Sequence, residues 1–176
     1  MLSHRLATAD DLEPLRDLMA LAIDRNQAAF LDPAQIAASR AVMGLDTQLV
    51  TDGTYFIIEE EGRPVGCGGW SYRSTTYGGD HSSGLRDAAL LDPSKDPARV
   101  RAMYTHPDFT RRGIGRLILS LCETAAREAG FRSAILMATL SGEPLYRAAG
   151  FEEIERHSDS VHGVGVPLIL MRKALV

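Results

Sequence analysis

Cysteine is nearly absent from this 176-residue chain, which has only Cys67 and Cys122. The two share no CxxC spacing and have no paired histidines beside them, which excludes a disulfide framework and gives no zinc or dithiol motif. Each reads as a small buried apolar residue. Aromatic residues are scarce too, at 6% with a single tryptophan. No run approaches the roughly 18 uninterrupted apolar residues of a membrane-spanning helix. The N-terminal MLSHRLATADD lacks the basic-then-apolar layout of a secretory signal, so the expected setting is cytoplasmic with no membrane partner. Positive charge is not in excess: 19 Lys+Arg stand against 23 Asp+Glu, for a formal charge of −4. That balance argues against a general nucleic-acid binder. What remains is 45% hydrophobic and 24% charged, the composition of an ordinary globular protein. A chain of this length buries roughly 70% of its unfolded surface. A single domain over residues 1–176 is therefore expected, with a core that needs no metal.

The pattern along the chain alternates. Residues 2 to 7 read as a strand, and Thr8 stands three before Asp11 in a capping-box-like start. Leu12, Leu15, Leu18, Met19, Ala22 and Ile23 then follow helical spacing. Pro33 suits the first turn of a second helix containing Ile36, Ala37, Val42 and Met43. TYFIIEE (54–60) and RPVGCGGW (63–70) read as a hairpin closed by Glu61-Gly62. Residues 71 to 98, rich in Gly, Ser, Asp and Pro, form a loop insertion far longer than an ordinary connection. Strand 99–105 leads into a helix from Gly113 to Ala129, whose apolar positions Ile114, Leu117, Ile118, Leu121, Cys122, Ala125 and Ala129 make one stripe. Strand 131–139, a short helix 143–149 and strands 151–156 and 164–172 complete a mixed α/β order, with Pro167 arguing against a regular central ladder at that point.

The segment from Met103 to Leu121 places a strand, a turn, two glycines and a long helix in succession. The first amides of a helix lack intrahelical acceptors, and the dipole there favours negative charge. Arg99, Arg101, Arg111, Arg112 and Arg116 lie within this stretch of an otherwise acidic chain. The pattern fits a polyphosphate site. On composition alone it better fits a tight helix entry beside a solvated basic face. The Lys-Ser/Thr of an NTPase loop and the third glycine of a dinucleotide fingerprint are both missing.

Thr110-Arg111-Arg112-Gly113-Ile114-Gly115 resembles the acetyl-CoA motif of the GCN5-related N-acetyltransferases (the GNAT family), in which Gln/Arg-x-x-Gly-x-Gly/Ala links a strand to a helix. Thr110 departs from the motif's first position. Tyr146-Arg147-Ala148-Ala149-Gly150-Phe151 resembles the family's tyrosine, three residues, Gly-Phe segment, in the right order downstream. The resemblance implies an acyl-CoA N-acyltransferase fold, with a twisted, mostly antiparallel sheet of about six or seven strands flanked by about four helices. It implies acetyl-CoA as co-substrate, no metal, and an amine of a small molecule or peptide as acceptor. Backbone groups of Met103, Tyr104 and Thr105 would line the pantetheine arm beside a splayed fourth strand. Amides of Arg111, Arg112, Gly113, Ile114, Gly115 and Arg116 would wrap the pyrophosphate.

Acetyl transfer to an amine needs a neutral nucleophile, oxyanion stabilisation and a proton for the departing thiolate. The resemblance gives the last role to Tyr146 and the second to a strand-four amide near Met103 to Thr105. Glu59, Glu60, Asp80, His81 and His106 are candidate bases by residue type, with nothing in their spacing to select one. Thr139 and Ser141 occupy the loop where many relatives carry a cofactor-contacting asparagine. The long loop replaces the short turn of relatives, on the side where family geometry puts the acceptor. Tyr72, Arg73, Tyr77, Asp80, His81 and Arg86 are therefore expected to form or cover the acceptor pocket. The alternative for these six is a solvent-exposed loop. The competing function is a non-catalytic acyl-CoA sensor of the same fold, against which Tyr146 argues, because a sensor needs no proton donor. An arginine-rich RNA-binding reading suffers from the acidic total. The resemblance, though not the sequence itself, allows a second copy of the chain as a partner at an edge strand or the last hairpin.

Overall fold

The computed structural model describes residues 1–176. One seven-stranded sheet runs β1-β2-β3-β4-β5-β7-β6. Its strands are β1 (Leu2–Leu6), β2 (Tyr55–Glu60), β3 (Arg63–Ser71), β4 (Ala98–Thr105), β5 (Ser133–Ala138), β6 (Glu152–Val161) and β7 (Val164–Ala174). Five helices accompany them: α1 (Leu12–Asn26), α2 (Pro33–Ser39), α3 (Thr47–Thr51), α4 (Ile114–Glu128) and α5 (Glu143–Ala148). All neighbours pair antiparallel except β4 and β5. No helix is long and apolar enough to cross a membrane.

Helices cover both faces. Leu15, Leu18, Met19, Ala22 and Ile23 of α1 pack on Tyr55, Ile57, Cys67 and Tyr104. On the other face Ile114, Ile118, Leu119, Cys122 and Ala126 of α4 join Val65, Val100, Leu136 and Met171. The buried stripe of α4 thus includes Leu119 and Ala126, while Ala129 is exposed. The long helix sits close to β3 because two glycines leave room: a Cβ at Gly66 would lie 2.4 Å from Ile114 Cγ2, and one at Gly68 would lie 2.6 Å from Ile118 Cγ2. The β2–β3 and β6–β7 hairpins turn on Glu61-Gly62 and His162-Gly163, all at positive φ. Paired positive φ values are what a two-residue type I′ loop demands.

Several boundaries differ from those expected. Helix α2 stops at Ser39, and Val42 packs beside Ala38 and Val166 as part of the following turn. Helix α3 was not expected; it is a single turn capped by the Asp46 carboxylate, which accepts from Gln48 N at 3.0 Å. Strand β6 runs on to Val161, and most of it is exposed at the sheet edge. Pro167 faces Ser158 on β6, on a part of β7 that β5 does not reach. No ladder bond is lost there, which is how a proline sits inside this strand.

The two features that shape the site lie on β4. Its parallel pairing with β5 consists of Ala98↔Ala134 and Arg99↔Ile135 alone, after which the strands part. Against β3, the register slips between Cys67 and Gly69, and Ala102 takes φ +50° within the bulge. A bulge bends the strand that carries it. Tyr55 holds the kink by donating its hydroxyl to the Ala102 carbonyl at 2.6 Å.

Candidate active site

The gap between β4 and β5 is a cleft lined by Val100 to Tyr104, by Leu136, Met137 and Thr139, and by Tyr146. Its far wall comes from Val42 to Gly44, Thr76 to Gly78 and Leu168. Tyr104 pairs opposite Cys67 and His106 N donates to Val65 O at 2.9 Å. Antiparallel alternation therefore turns the backbone polar groups of Met103 and Thr105 away from β3, toward the side that β5 has left. The Thr105 carbonyl is already used, accepting from Asn26 Nδ2 at 2.8 Å. Met103 thus offers an open strand edge inside the cleft. Tyr104 points its side chain to the opposite face, where its oxygen accepts from Gly44 N at 2.9 Å.

At one end of the cleft a 3-10 turn, Pro107–Phe109, leads into α4. Arg111 and Gly113 have φ +64° and +82°, a conformation that favours glycine. The six amides from Arg111 to Arg116 donate to no backbone carbonyl, and the first helical bond runs from Leu117 N to Gly113 O. A Cβ on Gly113 would meet nothing within 4 Å, so this turn opens outward. Gly115 has a different reason: its Cβ would lie 2.8 Å from Leu145 Cδ2, so it is small to let α5 approach. Ile114 is buried in the glycine groove of β3 and offers only its amide.

The five arginines divide. Arg111 and Arg116 are exposed at the helix start, and Arg112 joins them while pairing with Glu60 at 2.6 Å and lying over the Phe109 ring. Arg99 donates to Pro97 O and Ser74 O. Arg101 is buried, pairs with Asp46 at 2.9 Å and donates to Thr75 O and Gly78 O. These last two secure the long loop and do not face the helix start.

Tyr146, buried on α5, points its hydroxyl into the cleft and donates to Met103 Sδ at 3.7 Å, with Phe151 edge-on to its ring. Burial pushes the phenol well above its ordinary pKa. Thr139 also lines the cleft, where its hydroxyl meets Ser141 Oγ at 3.1 Å and accepts from Gly142 N at the start of α5.

Of the six loop residues expected at the acceptor side, Tyr77 alone lines the cleft. Tyr72 packs edge-on to Trp70. Arg73 forms a two-armed pair with Asp52 at 2.8 and 3.0 Å and donates to Ala88 O. Asp80 caps α3 through Thr47 N, His81 bonds the Arg40 carbonyl, and Arg86 pairs with Asp46. These five fasten the loop instead of facing a pocket. The candidate bases are also occupied elsewhere: Glu59 holds Arg5, Glu60 holds Arg112, and His106 is buried beside Arg63. None of the five base candidates lines the cleft. Two residues that sequence reasoning passed over stand behind Tyr77: its hydroxyl donates to Asp159 Oδ2 at 2.8 Å, and His157 Nε2 lies 3.1 Å from Asp159 Oδ1. Only the alternation of β6, which puts positions 157 and 159 on one face, carried a signal for them.

Solved structures share this architecture. A GCN5-related N-acetyltransferase from Rhodopseudomonas palustris superposes with a TM-score of 0.72 at 18% identity, over 98% of this chain and 94% of that one. The PaiA N-acetyltransferase of Thermoplasma acidophilum, solved in complex with coenzyme A, gives 0.68 at 13% identity over 99% of both chains. YncA of Salmonella typhimurium, solved with acetyl-CoA, gives 0.62 at 18% identity over 99% and 94%. A search of curated protein sequences finds no match to this chain. The sequence model of the acetyltransferase (GNAT) domain matches residues 51–153, from the end of α3 through α5 and including β4, β5, the glycine turn and Tyr146, and the chain belongs to that family.

Proposed function

We propose that this protein is an N-acetyltransferase that takes acetyl-CoA into the gap between β4 and β5 and passes the acetyl group to a primary amine. The observation that carries the reading is continuity. One cleft holds the open edge of Met103 and the Tyr146 hydroxyl, and the acceptor-free amides of Arg111 to Arg116 follow directly from the end of β4. Similarity to structures that hold coenzyme A and acetyl-CoA supports it.

The residues fit the group. Consecutive amides at a helix start, flanked by Arg111, Arg112 and Arg116, suit a pyrophosphate. The strand edge at Met103 suits an amide-bearing arm, which it can pair as a neighbouring strand would. Acetyl-CoA supplies a thioester, an acyl group already activated for attack by an amine. Tyr146 holds its proton because burial disfavours the phenolate; it passes that proton to the sulfur as the carbon–sulfur bond breaks, and the proton that the amine nitrogen loses on acylation restores the phenol. An amide at the β4 edge donates to the carbonyl oxygen as negative charge develops on it.

Melting curves with acetyl-CoA, CoA, ATP and NAD side by side test the cofactor half. A ligand at 100 times its Kd adds about 2.7 kcal/mol, so acetyl-CoA and CoA should raise Tm while ATP and NAD leave it unchanged. Arg116→Glu, an exposed change that puts negative charge at the helix start, should weaken the shift. No shift with either CoA species overturns the reading.

A further inference from the structure

The acceptor wall of the cleft contains one polar cluster that the transfer chemistry above does not use. Tyr77 lines the cleft, and behind it His157 and Asp159 share one face of β6. The Tyr77 hydroxyl donates to Asp159 Oδ2 at 2.8 Å, and the His157 ring stands edge-on to Tyr77 with Nε2 3.1 Å from Asp159 Oδ1. A carboxylate only accepts, so Asp159 fixes both neighbours as donors: Tyr77 through its hydroxyl and His157 through Nε2–H. With its proton committed to Asp159 and His157 Nε2–H 3.3 Å away as a donor to it, the Tyr77 oxygen keeps one lone pair and no proton for a group in the cleft. It is an acceptor for N–H groups, with a carboxylate directly behind it. Burial and this hydrogen bond both raise the Tyr77 pKa, so the phenol keeps the proton that it lends to Asp159. The one charged side chain that lines the cleft, Arg101, is spent on Asp46, Thr75 O and Gly78 O. The remaining lining is mostly apolar, with Val42, Met43, Leu136 and Leu168 among it.

Resting on the acetyltransferase reading, we propose that Tyr77 and Asp159 select the acceptor, and that they select an aliphatic amine that carries a second, cationic amino group and no carboxylate. The ammonium remote from the reacting amine donates to the Tyr77 oxygen and is attracted by Asp159, while the methylene chain lies on the apolar wall and leaves the other, neutral amine to attack. A carboxylate in the same place meets an oxygen that cannot donate to it and a like charge.

The test compares 1,4-diaminobutane with 4-aminobutanoate, which replaces one ammonium by a carboxylate on nearly the same chain, using thiol release from acetyl-CoA. The wild type should prefer the diamine at least tenfold in kcat/KM. Asp159→Asn and Tyr77→Phe should each raise the diamine KM at least tenfold and reduce the preference, with the KM for acetyl-CoA unchanged. A wild-type ratio near one overturns the proposal. So does a variant that melts earlier but keeps the ratio, since that is what a merely structural tie between loop and β6 would produce. Transfer to neither amine, with the CoA melting shift intact, overturns the acceptor assignment alone. Loss of the CoA shift in the wild type overturns the reading on which it rests.

Discussion

The Tyr146 hydroxyl meets the Met103 sulfur, 3.7 Å away, across the gap that opens when β4 leaves β5. A thioether is a weak acceptor, so little holds the phenol proton against a stronger acceptor placed in the cleft. General acid catalysis contributes roughly 10²–10⁴-fold. Tyr146→Phe should lower kcat by that order while leaving the CoA-induced melting shift intact. Because burial raises the phenol pKa, the proton stays on Tyr146 as pH rises. The kcat profile should therefore show no alkaline fall below pH 10 that Tyr146→Phe removes. An unchanged kcat in the variant would take the acid role from Tyr146.

Gly115 and Leu145 set how closely α5 approaches α4. Since a Cβ at Gly115 would come within 2.8 Å of Leu145 Cδ2, the end of a side chain that can turn aside, Gly115→Ala should gain less than the roughly 1 kcal/mol that alanine's helix propensity offers. Pairing it with Leu145→Ala should recover part of that shortfall, with a coupling of about 0.5–3 kcal/mol as expected for residues in contact. Denaturant unfolding of the two single variants and the double variant measures it. Additive effects would mean that the side chains do not compete for this space.

Asp46 ties three parts of the chain together. It caps α3 and takes Arg101 of β4 at 2.9 Å and Arg86 of the long loop at 3.0 Å, with its side chain 1% exposed and that of Arg101 2% exposed. Removing one partner of a buried pair costs about 3–5 kcal/mol, because the other charge is left uncompensated. Asp46→Ala should show a loss of that size in chemical denaturation, and the 72–97 segment should become open to proteolysis. Arg101→Met should cost less, since Arg86 still meets Asp46 and an apolar side chain fills the place.

What could be read from the sequence was whatever local periodicity and turn chemistry encode. The α1 and α4 stripes, the Glu61-Gly62 reversal and the helix entry at Gly113 all declare themselves within a few residues. The segment from Ser71 to Ala98 did not, because its order comes from distant partners: Asp52 for Arg73, Asp46 for Arg86, and the Ala41 carbonyl for Ser82. A loop built by such pairs has the composition of a flexible one. Arg99 and Arg101 misled for the same reason, since charge counted along the chain does not say which face of β4 carries it. The cluster behind Tyr77 was hidden because His157 and Asp159 lie 80 and 82 positions away, on a strand that runs past its expected end.

His106 makes the helix entry sensitive to acid. Its Nδ1 accepts from Asp108 N at 3.1 Å, capping the 3-10 turn that leads to Arg111, while Nε2 lies 3.0 Å from Arg63 Nη2. Burial, and then the Arg63 charge, lower its pKa below the ordinary value of 6.5. As pH falls through about 6.5 the unfolded chain therefore binds a proton that the folded chain refuses, and stability declines with falling pH. The decline continues until the lowered folded pKa is reached. Melting temperatures should fall between pH 7 and pH 5, and His106→Asn, which can still accept from Asp108 N but does not titrate, should flatten that part of the curve. Protonating Nδ1 also removes the cap, so affinity for CoA should weaken in the wild type only as pH reaches the lowered folded pKa, below the point where the melting temperature begins to fall, and not in the variant. An identical slope in both proteins would place the acid sensitivity elsewhere.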